Sequence, residues 1–432
     1  MGDVEPTGPR PGADGTRRLR VRTRPGHPDF LDLPWRAPLE EWESRRIVEV
    51  ARGLHRHVVR FVDYDGALYA LKEMPARLAQ REYGMLRRMA VHALPVVEAV
   101  GVVGRGGGAG LPDVLITRYL DFSLPYRTLF AHQRREPRDV RGLSDRLLDA
   151  LTMLLVRLHL NGFFWGDCSL SNTLFRRDAG ALAAYVVDLE TGEWHPQLSA
   201  GQRRRHDVEL TRLNVAGGLM DLQAELELPF DPDPVETADD LAARYERLWR
   251  ELTREEVIGL DERYRIDARI RRLNELGFDV DEVELEATED GDRLVVKTAV
   301  TEQGHHRRRL LSLVGLDAQE NQARSLLNDL AGFRAHLEHQ SGRPIPESVA
   351  AYRWVNEVFE PTVAAIPASE RGKREPAEVF HEVIEHKWFL SEAAGRDVGL
   401  AETLRSYFER VLSTAEEEKT VLVNRDGYMS YG

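Results

Sequence analysis

Three polar side chains follow one another closely in the middle of the chain. Asp167 lies in a loop after a predicted helix that ends at Gly162, and Asn172 comes five positions later. A second apolar run, residues 184–187, then leads directly into Asp188. A carboxylate such as Asp167 can accept a proton from a substrate hydroxyl, whereas Asn172 and Asp188 offer oxygen ligands of the kind that Mg²⁺ prefers. These parts are the ones that phosphoryl transfer needs.

A lysine and a glutamate upstream form a second predicted pair. Lys72 ends a predicted strand, and Glu82 falls inside the apolar stripe of the helix that follows, among Leu78, Met85, Leu86 and Met89. A carboxylate that points at a core is costly unless it is paired, so Glu82 requires a buried cation. Lys72 is the nearest candidate in this segment. Taken singly, each site residue has an ordinary explanation, such as a solvated lysine or a helix cap. Their order along the chain is what indicates phosphoryl transfer.

The elements around these residues predict a small β-rich lobe followed by a helical lobe. Asp65-Gly66 is a hairpin turn, and Pro75 suits the first position of a helix. Residues 118–121 form a short link between the two lobes. Strands are predicted over residues 47–51, 58–64, 67–72, 96–103 and 114–117, and helices over residues 75–90 and 144–161.

On these motifs, the chain resembles the protein-kinase-like superfamily, and it is most similar to the small-molecule and lipopolysaccharide (Kdo) kinase branches. The resemblance covers residues 45–225 and implies a two-lobed fold that uses ATP and Mg²⁺. It implies Asp167 as the catalytic base and Asn172 and Asp188 as metal ligands. It also implies that Lys72 contacts the phosphates, with Glu82 as its partner. The whole chain resembles a bacterial domain-of-unknown-function family labelled lipopolysaccharide-kinase-like.

The same resemblance assigns three further features. Arg118, Tyr119 and Leu120, with Asp121, would form the hinge along which adenine lies. Asp207, at the start of a helix, would brace the catalytic loop from below. Gly53 would belong to the phosphate-binding loop, which has one glycine where protein kinases have three; basic side chains at residues 55–57 would share in binding phosphate.

The departures from the protein-kinase pattern favour a small acceptor. Trp165 and Gly166 stand where regulated protein kinases carry His and Arg, so a phosphorylated activation loop would lack its arginine partner. Asp188-Leu189-Glu190 replaces Asp-Phe-Gly, and Glu190 is predicted to add a second metal oxygen. No Ala-Pro-Glu element follows Asp188.

The chain is expected to comprise a kinase-like domain and a second, mostly helical domain that contains a β-hairpin, an α+β organisation overall. The Asp-Pro-Asp-Pro stretch after Pro229 marks the boundary between them. The expected segments are an arm at residues 1–40 that is disordered or docks on the fold, the kinase-like domain at 41–230, the helical domain at 231–415 and a loose tail at 416–432.

Three features outside the main site invite a chemical interpretation. His305–Arg309 is a basic run that would bind an anion or, as the more favoured alternative, form a surface loop balancing nearby acids. His381 and His386 are five apart, which places them on different faces of a helix and excludes a zinc-protease motif. Cys168 is the one cysteine, so an intramolecular disulfide is impossible, and a small buried residue is favoured over a redox role.

The composition excludes several classes of function. The 432 residues carry a formal net charge of −13, which opposes bulk binding to nucleic acid. No apolar run approaches the length of a membrane span, and a cytoplasmic location is expected. The sequence therefore predicts a kinase that transfers phosphate from ATP to a hydroxyl on a small molecule, sugar or glycolipid. Alternatives are a nucleotide-binding pseudokinase scaffold and a kinase-fold adenylyltransferase. The second domain would shape substrate access or recruit a protein partner.

Overall fold

The computed structural model describes most of the chain, with gaps that include the segment around Gly53. The described residues are 19–50, 57–106, 110–133, 140–195, 201–226, 233–259, 262, 264–276, 278–287, 293–415, 417–419 and 422–423. Gly53 and residues 55 and 56 therefore lie outside the described residues, as do residues 1–18 and most of the tail after residue 419.

An antiparallel sheet, in which the spatial order of the strands differs from their order in the sequence, forms the N-terminal lobe. Its strands are β1 (Arg20–Thr23), β2 (Ile47–Val50), β3 (Val59–Tyr64), β4 (Ala67–Met74), β5 (Ala99–Gly104) and β6 (Asp113–Arg118), joined at the β2 edge by a late strand, Leu422–Val423. Strand β4 continues past Lys72, because Glu73 and Met74 pair with Val114 and Asp113. Lys72 thus lies inside a central strand, whereas the sequence predicted that it would end the strand.

Helix α1 (Ala76–Val91) covers one face of this sheet. It begins at Ala76, and Pro75 is its N-cap residue and not, as predicted, its first helical residue. Its buried face carries Leu86 and Met89, and Glu82 lies in the same buried stripe. The helix therefore brings a carboxylate to the sheet at the level of Lys72.

The described part of the N-terminal arm packs on the sheet, which is one of the two alternatives predicted for it. Strand β1 pairs with β5, and Arg20 lies opposite Gly104. Phe30, Trp35 and Trp42 are buried in a cluster on the outer face of the sheet. The indole nitrogens of both tryptophans donate to main-chain oxygens within the arm. Residues 20–42 are thus a packed part of the lobe.

The second lobe is mainly helical, as predicted. After the short strand β7 (Leu124–Pro125) come α2 (Tyr126–Gln133), α3 (Val140–Leu160), β8 (Phe163–Phe164), β9 (Thr173–Asp178), β10 (Ala181–Val186), β11 (Glu193–Trp194), α4 (Gln202–Leu226) and α5 (Pro234–Thr253). Strands β9 and β10 form an antiparallel hairpin. The predicted order of a β-rich lobe followed by a helical lobe is confirmed.

Packing places the end of this lobe later than the boundary at residue 230. Asp233 caps α5 by accepting hydrogen bonds from Val235 N and Glu236 N, and Pro234 is its first residue. The helix then packs on α3 and α4, and its Tyr245 and Trp249 lie in the same core as the helical lobe. Asp233 and Pro234 therefore start a helix of the same packed unit.

The rest of the chain forms a three-stranded sheet and a helical domain. The sheet contains β12 (Glu256–Gly259), β13 (Phe278–Ala287) and β14 (Arg293–Gln303), and α6 (Tyr264–Glu275) precedes β13. The helices are α7 (His305–Val314), α8 (Glu320–Ser341), α9 (Glu347–Trp354), α10 (Glu360–Ala364), α11 (Pro376–Ala394) and α12 (Leu400–Arg410). Their core surrounds Trp354 and Phe380. Within the described ranges, no helix has the length and apolar character to cross a membrane.

Candidate active site

A cleft of about 250 Å³ separates the sheet from the helical lobe. Both lobes contribute polar side chains to it, and the three predicted hinge residues form one edge. The lining residues include Lys72, Glu82, Arg118, Tyr119, Leu120, Asp167, Asn172, Asp188 and Glu190. The structure thus brings the described residues of the predicted site to one place, whereas Gly53 lies outside the described residues.

Lys72 is the cation around which the carboxylates of the cleft gather. Its Nζ lies 3.3 Å from Glu82 Oε2, 2.8 Å from Asp188 Oδ2 and 3.6 Å from Glu190 Oε1. Burial alone would lower the pKa of Lys72, but the neighbouring carboxylates, Glu82 first, outweigh burial and raise it. Lys72 is therefore held as an ammonium ion that faces the cleft.

Glu82 is the buried carboxylate that the sequence required to be paired. It is 1% exposed, and burial raises its pKa to about 7 against the opposing effect of Lys72. Its Oε2 accepts from Lys72, whereas its buried Oε1 has no hydrogen-bond partner in the described part of the chain. Glu82 thus anchors Lys72 from the interior.

The β9–β10 hairpin brings Asn172 and Asp188 together. Thr173 lies opposite Val186, and Val187 N donates to Asn172 O at 3.1 Å, so the pairing extends one step past the strands. Asn172 and Asp188 therefore flank the open end of the hairpin. This arrangement follows from the antiparallel register, in which residues far apart in sequence end side by side.

Asp167 is exposed to the cleft and held by two amides. Asn172 Nδ2 donates to its Oδ2 at 2.9 Å, and Asn214 Nδ2 donates to its Oδ1 at 3.2 Å. Asn214 also donates to Cys168 O. The sequence analysis missed Asn214, because it lies on α4 with no local motif to mark it. Because the Asn172 amide nitrogen donates to Asp167, the amide oxygen of Asn172 is the atom that could bind a cation.

The loop before Asp167 is braced by Asp207, the role that the kinase resemblance implied. Asp207 is fully buried and accepts hydrogen bonds from Trp165 N at 2.7 Å and Gly166 N at 2.9 Å. His159 Nε2 lies 3.1 Å from the same carboxylate. His159, also fully buried, is a second residue that the sequence analysis missed. Together these contacts fix the main chain next to Asp167.

Gly166 has a steric reason for being glycine. Its φ is +77°, and a Cβ there would lie 2.9 Å from Phe164 Cε1. Trp165, the other departure from the protein-kinase pattern, donates its indole N–H to Asp188 O at 2.9 Å. Trp165 therefore ties the loop of Asp167 to the segment that contains Asp188.

Glu190 faces Lys72 and His57. Its Oε1 contacts His57 Nε2, and its backbone N–H donates to Asp188 Oδ1 at 3.0 Å. Oxygens of Glu82, Asp188 and Glu190 lie within 4.8 Å of one another. The structure thus groups two of the predicted metal ligands and adds Glu82 to them.

The basic run His305–Arg309 lies in a helix, which corrects the predicted loop. The run forms the first turns of α7, and Glu320 accepts hydrogen bonds from His306 N and Arg307 N. Arg307 pairs with Asp317, and Arg309 pairs with Glu347. The contacts agree with the favoured interpretation that these residues balance nearby acids.

Two smaller predictions concern single residues. His381 contacts Ser325 and His386 contacts Ser406, so the two histidines have separate partners. Cys168 is fully buried, and burial raises the pKa of its thiol, which agrees with a structural role.

Two family models match separate parts of the chain. Residues 65–219 match the lipopolysaccharide kinase (Kdo/WaaP) family. Residues 247–412 match a domain of unknown function, DUF4032. The first match spans the elements that carry Lys72, Asp167 and Asp188. The resemblance inferred from the sequence is therefore confirmed: residues 65–219 are similar to lipopolysaccharide kinases, and residues 247–412 are similar to the DUF4032 domain.

Solved structures similar to the chain include two of kinase folds. One is titled "WaaP in complex with acyl carrier protein" and is 20% identical, with a TM-score of 0.30, over 47% of this chain and 88% of that chain. Another is titled "Crystal structure of BubR1 kinase domain" and is 15% identical, with a TM-score of 0.29, over 36% of this chain and 50% of that chain. No curated protein matches the chain.

Proposed function

We propose that the chain is a phosphotransferase that uses ATP and Mg²⁺ to phosphorylate a hydroxyl on a small molecule, a sugar or a glycolipid. The observation that carries the proposal is the convergence of Lys72, Asp167, Asn172 and Asp188 on one cleft. The family match of residues 65–219 supports a kinase-type reaction. The proposed location is the cytoplasm, where ATP is available.

The donor set of the cleft fits a magnesium ion. Asp188 and Glu190 supply carboxylate oxygens and Asn172 supplies an amide oxygen, which are hard ligands. Glu82, Asp188 and Glu190 surround the Lys72 ammonium, so their combined negative charge calls for a further cation. When bound, Mg²⁺ would neutralise charge on the transferred phosphate.

The nucleotide would lie between apolar walls with its phosphates toward Lys72. Val59, Ala70 and Leu115 line the cleft from the sheet, and Leu174 lines it from the helical lobe. These side chains suit the faces of an adenine ring, and the hinge at residues 118–120 would lie along its edge. The Lys72 ammonium, held by Glu82, would contact the α- and β-phosphates.

Asp167 is the proposed general base. The acceptor hydroxyl oxygen would attack the γ-phosphorus of ATP while the bond to the β-phosphate oxygen breaks and ADP leaves. Asp167 would accept the hydroxyl proton. Asn172 and Asn214 hold its carboxylate by one hydrogen bond each, so they would fix its orientation.

A small acceptor is favoured over a protein. Gly166 occupies the place of the arginine that binds a phosphorylated activation loop in regulated protein kinases, and its positive φ and the nearby Phe164 ring disfavour a side chain there. Binding of a protein partner by the C-terminal domain remains a separate hypothesis.

The test is nucleotide binding by thermal shift in wild type and Asp188→Asn, with ATP alone and with ATP plus MgCl₂. A ligand at ~100 times its dissociation constant stabilises the native state by about 2.7 kcal/mol. We expect a Mg²⁺-dependent shift in the wild type and in Asp221→Asn, an exposed control on α4, but not in Asp188→Asn. The proposal fails if the folded wild type shows no shift, a result that would indicate a kinase fold that does not bind nucleotide. A nucleotide-binding pseudokinase would show the shift but transfer no label from ATP.

The position of the label on ATP distinguishes a kinase from the adenylyltransferase alternative. ATP labelled in the γ-phosphate should pass its label to an acceptor, whereas ATP labelled in the α-phosphate should not. Transfer of the α-label instead would establish adenylylation and contradict the kinase proposal.

A further inference from the structure

We propose that the C-terminal domain positions the metal ligands of the cleft by holding the far end of the hairpin that carries them. Gln322 on α8 and Glu378 on α11 would be the positioning residues. The inference deepens the proposed function and rests on it, because it concerns Asn172 and Asp188 of the same site.

The β9–β10 hairpin connects the cleft to the C-terminal domain. Each strand has six residues, which corresponds to a length of about 20 Å. Asn172 and Asp188 flank one end, and the turn at Ala179 and Gly180 forms the other. A rotation of the turn relative to the helical lobe would therefore displace Asn172 and Asp188 at the opposite end of the hairpin.

The turn is held by a cluster of buried polar contacts. Gln322 N donates to Asp178 Oδ1 at 2.8 Å, and Gln322 Nε2 donates to Arg177 O at 3.1 Å. Glu378 Oε2 accepts from Ala179 N at 2.9 Å and from Gln322 Nε2 at 2.7 Å. Asp178, Gln322 and Glu378 are each at most 3% exposed.

Each side of this interface supplies hydrogen-bond partners to the other. The first N–H groups of a helix have no backbone partner within the helix, and Asp178 accepts from that of Gln322 in the first turn of α8. Ala179 has a φ of +52°, which is unfavourable for a residue with a side chain, and Glu378 holds its N–H. Because unpaired buried polar groups are costly, these contacts specify one placement of the turn.

Contacts along the sides of the hairpin restrain it further. Tyr185 OH on β10 donates to Gln319 Oε1 at 2.7 Å, three residues before Asp188. On β9, Arg176 pairs with Glu375, the N-cap residue of α11, at 2.7 Å. Both strands are thus attached to the C-terminal domain.

Gln322 and Glu378 act on the cleft only through the hairpin. Among the described residues that line the cleft, neither is present. A change at Gln322 should therefore alter the metal site while it leaves contacts with the nucleotide itself in place. That difference separates a positioning role from a general loss of structure.

The experiment measures metal and nucleotide affinity separately in the full-length protein. Mn²⁺ serves as the spectroscopic probe of the Mg²⁺ site in the presence of a non-hydrolysable ATP analogue, and a fluorescent ATP analogue reports binding without metal. We expect Gln322→Met to weaken Mn²⁺ binding about fivefold to tenfold, as loss of a buried hydrogen-bonding group implies. Metal-free nucleotide binding should not change.

Gln340→Met is the matched control, because Gln340 lies on the same helix, is exposed and bonds to His336. It should bind Mn²⁺ like the wild type. The proposal is overturned if Gln322→Met binds Mn²⁺ as well as Gln340→Met does, or if metal-free nucleotide affinity falls by the same factor. Should Gln322→Met not fold, Tyr185→Phe, which removes one hydroxyl, decides by the same criteria.

Hydrogen exchange distinguishes failure of this inference from failure of the proposed function. The Val187 amide bonds to Asn172 O and requires neither metal nor nucleotide to be protected. Gln322→Met should speed its exchange relative to Gln340→Met, even if the wild type binds no Mn²⁺. Unchanged exchange would overturn the positioning role on its own.

Discussion

Replacing Asp207 by alanine is expected to destabilise the helical lobe and release the loop that carries Asp167. The carboxylate accepts hydrogen bonds from two backbone N–H groups, those of Trp165 and Gly166, and also contacts His159 Nε2. Asp207, His159 and the Trp165 side chain are all fully buried. Water therefore cannot readily replace the lost oxygens.

The magnitude follows from the number of groups left without a partner. A hydrogen bond to a charged group contributes ~1.5–3 kcal/mol, and a buried donor without a partner costs a similar amount. Two backbone donors thus imply a loss of about 3–6 kcal/mol in the free energy of unfolding. The higher helix propensity of alanine offsets less than ~1 kcal/mol of this loss. Asp207→Asn, which keeps one acceptor oxygen, should lose about half as much.

Urea denaturation followed by tryptophan fluorescence measures this loss, and turnover of Mg²⁺-ATP measures the effect on the site. Asp221→Ala is the control, because Asp221 is an exposed aspartate on the same helix. If Asp207→Ala differs from this control by less than ~1 kcal/mol, the backbone donors find other partners and the reasoning is refuted.

Three further outcomes are expected. Asn214→Ala removes one hydrogen bond from Asp167, so it should lower kcat about tenfold and leave the KM for ATP unchanged. Steady-state kinetics measures both constants, and a change in KM instead of kcat would refute this expectation. Trp165→Phe removes the bond to Asp188 O and should cost about 1–3 kcal/mol in urea denaturation, whereas no loss would mean that water replaces it. Burial raises the pKa of Asp178 from 3.8 to about 6, so the folded state binds its proton more tightly than the unfolded state, and stability should fall as pH rises from 4 to 6 and then level off. This effect is about 3 kcal/mol, and it should vanish in Asp178→Asn; an identical pH profile of the variant's thermal stability would contradict it.

Local sequence patterns were sufficient to predict the elements whose formation depends on nearby residues. The β3–β4 hairpin follows from alternating apolar residues around Asp65-Gly66, where both residues adopt positive φ. Helix α1 follows from Pro75 and an apolar stripe, and the same stripe showed that Glu82 needs a cation. The contact with Lys72, ten residues away, could be predicted because the strand and helix that carry them are consecutive.

The sequence left open those features in which burial depends on distant parts of the chain. The proline-rich arm has no regular periodicity, so its pattern could not decide between disorder and docking; Trp35 and Trp42 are buried because they cover the sheet face opposite α1. The stretch before Pro234 resembled a linker, because a helix start and a domain boundary share the same capping residues. The position of α5 in the helical lobe follows from Tyr245 and Trp249, whose partners lie on earlier helices.

The sequence by itself determined which residues have the chemistry for phosphoryl transfer and the types of element that carry them, because periodicity, turn residues and motif spacing are local. Only the tertiary structure decided which polar groups far apart in the sequence meet. Asn214 reaches Asp167 across 47 positions, and Gln322 reaches Asp178 across 144. Such contacts form when buried donors and acceptors must find partners after the apolar faces have packed, and a sequence pattern does not encode which partner lies within reach.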